Sequence, residues 1–180
     1  MGPIEVLFIT IQIIIAAIGM VRGYAKELGN TLVFMVVIFL LAYFGDRAES
    51  ILTSFGQLVF GIVPDSNDMR AFLFAMYVAV FLSVVFASYA GRTLDFPGKQ
   101  MPPPQGSLLS LLIGLLNGYL VAGTLWFYAD KYSYPLLNVN TDQFSPTAEL
   151  MLQYLPQTVA ANPVAWMVPV ALLILLRVRG

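Results

Sequence analysis

Residues 21–29 read VRGYAKELG, three charges and two glycines set between the apolar runs IEVLFITIQIIIAAIGMV (4–21) and LGNTLVFMVVIFLLAYFG (28–45). The stretch is either the solvated turn of a membrane hairpin or a reactive loop, and that choice decides the fold. A transmembrane helix needs about 20 mostly apolar residues, with a range near 17–25. Both flanking runs meet that length, so the hairpin is the first expectation.

The rest of the chain extends the pattern. Of its 180 residues 59% are hydrophobic and only 11% charged, with a mean hydropathy of +0.81; a soluble domain carries about 25% charged residues. The expected fold is all-α, a polytopic helical membrane bundle. Four transmembrane helices are predicted, about Ile4–Val21, Leu28–Gly45, Ala71–Gly91 and Gly106–Tyr128. They form one membrane domain over residues 1–157. An apolar tail follows at 158–180, where Val164–Leu176 is too short to span alone. Extended back to Val159 it takes in Asn162, Pro163 and Pro169, and it either spans with a kink or re-enters, the kinked fifth span being the favoured reading.

Two outer segments are read as interfacial amphipathic helices. In 47–63, Ala48, Ile51, Leu52, Phe55, Leu58, Val59 and Ile62 fall at the spacing of one helix face. After Ser145, a candidate N-cap followed by Pro146, the residues Ala148, Met151, Leu152 and Leu155 make a second stripe. The proline-rich RTLDFPGKQMPPPQG (92–106) is expected to be extended and non-helical.

Charge sorting gives an orientation. With 22–27 inside and helices alternating, the inner side holds the cations Arg22, Lys26, Arg92, Lys99, Arg177 and Arg179, with Glu27 and Asp95. The outer side holds Arg47, Arg70 and Lys131 beside Glu5, Asp46, Glu49, Asp65, Asp68, Asp130, Asp142 and Glu149. Six Lys and Arg against three place the N-terminus outside and the C-terminus inside. The first apolar run has no basic leader and no small-residue cleavage site, so it is read as a retained helix.

Composition also narrows the chemistry. With no cysteine and no histidine, thiolate and imidazole ligands, the usual haem axial ligand and the common nucleophile–base pairs are excluded. There is no GxSxG elbow and no glycine-rich phosphate loop, and no carboxylate falls deep in a predicted helix. The expectation is a non-enzymatic protein without cofactor or metal. Nucleic acid is not an expected partner, because the cations form no basic face.

What remains is packing. Ser110, Gly114 and Gly118 step by four along helix four with Gly123 beyond, and Gly19 and Gly23 repeat the step at the end of helix one. Small residues at that spacing let helices approach closely, either within the chain, in a homodimer or against another subunit. Asn117 lies mid-helix and wants a hydrogen-bond partner, for which Gln12 is the candidate. In the turn, Arg22 and Lys26 share one face and Gly23 and Glu27 the next.

VRGYAKELGNTLVF after the first helix, together with GSLLSLLIGLLNGYLVAGTLWFYAD later, resembles the colicin V production protein family of bacterial inner-membrane proteins. The likeness rests on Arg22, Gly23, Tyr24 and Glu27, and on Gly114, Gly118 and Gly123, and would cover about residues 5–155. It implies a bacterial inner-membrane protein linked to toxin export and envelope homeostasis, without an agreed molecular activity. This chain departs from the pattern at PPPQGS before the glycine helix, at Asn117 where the family often has a base, and in its fifth apolar run. Two other readings stand beside it. One is a small accessory or scaffold subunit of a larger membrane complex, such as an energy-transducing one. The other is a channel or carrier for a neutral or lipid-like solute, lined by Gln12, Ser83, Asn117 and Thr124. Membrane lipids and other membrane subunits, or a second copy, are the expected partners.

Overall fold

The computed structural model describes residues 2–91, 94, 96, 101–136 and 144–179. Among these the chain is all-helical: α1 Pro3–Arg22, α2 Tyr24–Tyr43, α3 Gly45–Phe60, α4 Asn67–Ala90, α5 Gln105–Lys131, α6 Pro146–Gln153, α7 Pro156–Val159, a 3₁₀ turn Pro163–Trp166, and α8 Met167–Arg179. Four of them, α1, α2, α4 and α5, are long and apolar enough to cross a membrane. The core joins Ile15, Phe34, Ile38, Phe81, Leu120 and Trp166, with large apolar side chains such as Ile13, Ile14 and Phe86 left facing outward, as lipid contact allows.

The bundle is built around α5, the most buried of the four spans. Its main neighbour is α1, and the two meet through small residues. A Cβ on Gly114 would sit 3.0 Å from the Ala16 Cα, one on Gly118 2.7 Å from the Gln12 Cα, and one on Gly19 2.9 Å from the Gly114 Cα. The four-residue step is thus used inside the chain, where backbone meets backbone and dispersion replaces side-chain interdigitation.

Helix α3 follows the amphipathic expectation. Gly56 lies against Met69 and Phe72 of α4, and Ala48 and Leu52 join the cluster around Met69 and Tyr77. Ile51, Phe55, Leu58 and Val59 stay exposed on the apolar half, the arrangement of a helix lying at an interface.

Two expectations are corrected. Helix two begins at Tyr24, four residues before Leu28, so α1 and α2 are joined by Gly23 alone. Gly23 holds φ 87°, a left-handed value that a side chain would resist, while its N–H bonds Gly19 O and its carbonyl accepts from Glu27 N. One glycine therefore caps two helices.

The second amphipathic segment also follows its expectation: Ser145 caps α6, accepting from Ala148 N, and the stripe Ala148, Met151, Leu152 and Leu155 packs with Ile4, Phe8, Ala122 and Trp126, while most of the remaining α6 residues stay exposed. The tail does not run as one helix from Val159. It breaks at Ala160–Asn162, turns through Pro163–Trp166 and restarts at Met167. Pro169 falls in the first turn of α8, where a missing N–H is tolerated. Position 157, the expected domain edge, lies within α7. The loop expected to be extended, 92–106, falls partly outside the described residues: 94, 96 and 101–104 are non-helical, while Gln105 and Gly106 begin α5.

A buried polar hub at the Arg22 end

Because α2 starts at Tyr24, Glu27, Asn30 and Thr31 are helical and share a face by their spacing of three and four. That face points into the bundle. Glu27 is wholly buried, as are Asn30 and Asn117, and Thr31 is nearly so. The expectation that 22–27 is a solvated loop is overturned here: Glu27 stands in the first turn of α2, and the one-residue connection puts its side chain inside the bundle.

The carboxylate is matched on every side. Asn117 Nδ2 donates to Glu27 Oε2 at 2.8 Å, and also lies 3.0 Å from the Glu27 carbonyl. Tyr89 OH donates to Oε2 at 3.2 Å and Asn30 Nδ2 to Oε1 at 3.3 Å. Arg22 Nε stands 3.4 Å from Oε1. A second layer fixes the first. Thr31 Oγ1 lies 2.7 Å from Asn117 Oδ1 and 2.9 Å from the Glu27 carbonyl, and Ser88 Oγ donates to Asn30 Oδ1 at 2.6 Å. Arg22 also donates to the Tyr89 carbonyl at 2.8 Å and lies 4.9 Å over the Tyr89 ring. One carboxylate thereby ties α1, α2, α4 and α5 together. Buried charge is tolerable only when paired and hydrogen-bonded in this way.

Gly19 completes the hub by absence. A Cβ there would meet not only Gly114 but also Glu27 Cγ at 3.4 Å, so the glycine leaves room for the acid as well as for α5. Leu94, from the short stretch after α4, covers α2 at Gly29, where a Cβ would fall 1.9 Å from the Leu94 carbonyl oxygen. Phe96 N donates to the Ala25 carbonyl.

The other residues singled out in the sequence are placed as follows. Gln12 does not reach Asn117; its Nε2 bonds the Leu115 carbonyl at 3.4 Å while Gly118 packs on its backbone. The pairing fails because the close α1–α5 approach turns Asn117 toward α2. Gly23 touches nothing within 4 Å of a would-be Cβ, so its part is conformational and not packing. Ser110 is buried and bonds its own helix at the Gly106 carbonyl. Gly123 faces Pro156 of α7. Tyr24 OH accepts from Met101 N. Lys26 is exposed. The four residues offered as a solute path are scattered: Ser83 is exposed and bonds Ala79 O, Thr124 bonds Gln157, and Asn117 belongs to the hub.

Sequence reasoning missed Asn30, Thr31, Ser88 and Tyr89. The first two were legible as a polar i, i+3, i+4 set with Glu27. Ser88 and Tyr89 carried no signal apart from their place near the end of α4.

A second polar group sits at the opposite end. Glu5, counted as an outer surface charge, is wholly buried, bonded by Ser145 Oγ and Gly2 N. Nearby in the same half, Lys131 pairs with Glu49 at 2.7 Å, and Tyr132 OH donates to the same oxygen at 3.1 Å. Burial first, and then the Glu49 charge, push the Tyr132 phenol well above its usual range.

Among the described residues no group of His, Cys, Asp and Glu is arranged to hold a metal ion. No family model, no curated protein and no solved structure matches the chain.

Proposed function

We propose that the chain is a non-enzymatic integral membrane protein of a bacterial inner membrane that serves as an accessory scaffold within a larger membrane assembly. The observation that carries this reading is the hub. Its polar and charged groups bond one another across four spans, so their chemistry goes into fixing helix positions. The glycine face, internal to the α1–α5 contact, supports the same reading of a bundle made rigid from within. The charge ledger supports an N-terminus outside and a C-terminus in the cytoplasm.

Native mass spectrometry after mild-detergent extraction tests it. Stoichiometric foreign subunits are expected, and a clean monomer or homodimer would sink the reading. Orientation is testable because the chain has no native cysteine. A single cysteine at exposed Lys26 should label only from the cytoplasm and one at exposed Gln57 only from outside, and the reverse pattern would invert the topology.

A second reading, a colicin V production-type protein in toxin export or envelope upkeep, is favoured by one contact. Arg22 and Glu27, the two ends of the Arg-Gly-Tyr-x-x-Glu stretch, are joined in the hub. Deletion in a colicin V producer should lower secreted toxin, with rescue by the native chain and none by Arg22→Ala. Unchanged secretion would remove this reading.

A further inference from the structure

Helices α1 and α4 both pack on α5 but scarcely on each other. At the inner end they are tied, because Arg22 donates to the Tyr89 carbonyl and lies over the Tyr89 ring. Toward the other end they part, and a groove of about 210 Å³ opens between them. Its walls are drawn from residues 4–11 of α1 and 74–82 of α4, and its floor is α5 from Ala122 to Ala129. The two alanines keep the floor low, and Leu7 on the α1 wall is 53% exposed, so the groove is open along its side. Its run on α1 or α5 is about 10 Å at 1.5 Å per residue, against about 15 Å for one leaflet of hydrocarbon. With the midpoint of α5 at residue 118, the floor extends from about 6 to about 16 Å beyond mid-span. The groove therefore lies within the acyl-chain layer of one leaflet and runs along the helix axes.

The lining is aliphatic and aromatic, and the N–H of Trp126 within it is taken by Tyr134 OH at 2.9 Å. Water finds no polar partner in such a groove, whereas a hydrocarbon chain laid along it gains dispersion contacts on three sides. The mouth supplies a second, independent feature. Arg70 stands one helical turn beyond Phe74, at the outer end of the α4 wall. It also borders a polar cleft with Asp65, Glu49, Lys131 and Tyr132. Lys131 is neutralised by Glu49 at 2.7 Å. Among the described residues the side chains of Arg70 and Asp65 have neither a hydrogen bond nor an ion pair. One exposed cation and one exposed anion are thus left over at headgroup level, directly above an apolar slot.

We propose that this groove binds a zwitterionic phospholipid of the phosphatidylethanolamine type, with one acyl chain between α1 and α4, the phosphate at Arg70 and the ammonium at Asp65. The proposal needs only a membrane-spanning bundle and holds whichever assembly the chain joins. In the orientation that the charge ledger supports, the lipid belongs to the outer leaflet. Size and charge together select this occupant. About 210 Å³ spread over about 10 Å of length is room for a narrow chain, not for a helix 10–12 Å across. A guanidinium makes strong, directional bonds to phosphate, and Asp65 five positions before it answers a headgroup cation. An uncharged apolar molecule would use the slot and leave both charges unmatched.

The test exploits the chain's two tryptophans, Trp126 in the groove and Trp166 outside it. In the full chain carrying Trp166→Phe, Trp126 is the sole indole, and at 3% exposure it meets little bulk lipid. The purified chain in detergent micelles is titrated with phosphatidylethanolamine brominated along its tails. Saturable quenching of Trp126 fluorescence is expected at a low ratio of lipid to detergent. Val78→Phe and Leu7→Phe each fill the groove from a different wall and should abolish the saturable part in whichever variant elutes as a folded chain. Arg70→Ala should raise the half-saturating lipid concentration about fivefold. Brominated diacylglycerol, with the same tails and no phosphate, should bind as weakly as that variant binds the phospholipid. Quenching that only rises in proportion to brominated lipid, or that survives both fillers, would be bulk contact and would overturn the site. An unquenched chain would overturn it too, and self-association by sedimentation would then put a second copy in the groove. Equal titration by the phospholipid and the diacylglycerol, or no shift in Arg70→Ala, would overturn the phospholipid as the occupant.

Discussion

The Arg22 end and the α6–α8 break are built from the same kinds of group and finish them oppositely. At the first, the donors of Asn117, Asn30, Tyr89 and Arg22 converge on one carboxylate. At the second, a buried amide oxygen and a buried indole N–H have no partner among the described residues. Within hydrocarbon no water compensates for such groups. A closed network rigidifies its surroundings, whereas an unpaired buried group costs stability.

That contrast can be broken most forcefully at Glu27. Glu27→Ala strands Arg22, Asn30 and Asn117 together, and loss of one partner from a buried pair costs about 3–5 kcal/mol. The melting temperature of the detergent-extracted chain should fall sharply. If it holds, the hub is not what joins the spans.

Gly118→Leu should cost next most. Its Cβ alone would sit 2.7 Å from the Gln12 Cα and carbonyl oxygen, and backbone cannot yield as a flexible side chain does. Overpacking of this kind costs about 1–3 kcal/mol or more. An unchanged melting temperature would show that α1 and α5 do not cross there.

Tyr132 probes the opposite end through pH. Its phenol is raised above the ordinary 10.0 by burial and by Glu49, so the folded chain holds the proton longer than the unfolded one. The stabilisation is fully present below pH about 10 and is lost as pH rises through the folded value. Alkaline unfolding monitored by phenolate absorbance should show this loss in the native chain and less of it in Tyr132→Phe. Identical profiles would detach Tyr132 from Glu49.

The smallest effect is expected at the break. Gln157→Leu removes one bond to Thr124, about 0.6 kcal/mol for a membrane hydrogen bond, and with it an orphaned acceptor. In the isolated chain the change should be nearly silent by melting. A drop approaching that of Glu27→Ala would mean the break is as closed as the hub, and the contrast would collapse.

How much of this was legible follows from what each signal measures. Hydropathy found the four spans because lipid selects composition over a length. The glycine step marked faces that permit close backbone approach, but left open whether they meet each other, a second copy or another subunit. Neither registers a charge carried inward. The burial of Glu27 depends on Gly23 turning the chain in a single residue, which moves the start of α2 back four positions and brings a supposed loop residue onto an interior face. Asn117 was found as a buried amide yet given the wrong partner, since local spacing does not say which helix an amide faces.

The 90-residue separation between Glu27 and Asn117 also has a meaning in time. Chain synthesis proceeds at about 5–20 residues per second, so α1 and α2 leave the ribosome roughly 5–20 s before the amide that receives Glu27. Tyr89 arrives sooner and Asn30 almost at once. During that interval the hairpin holds an acid whose main partner does not yet exist, and lateral release into lipid would strand it. Biogenesis of this chain therefore calls for a waiting place, in which the first two helices stay beside the insertion machinery, or near the headgroups, until α5 closes the circuit.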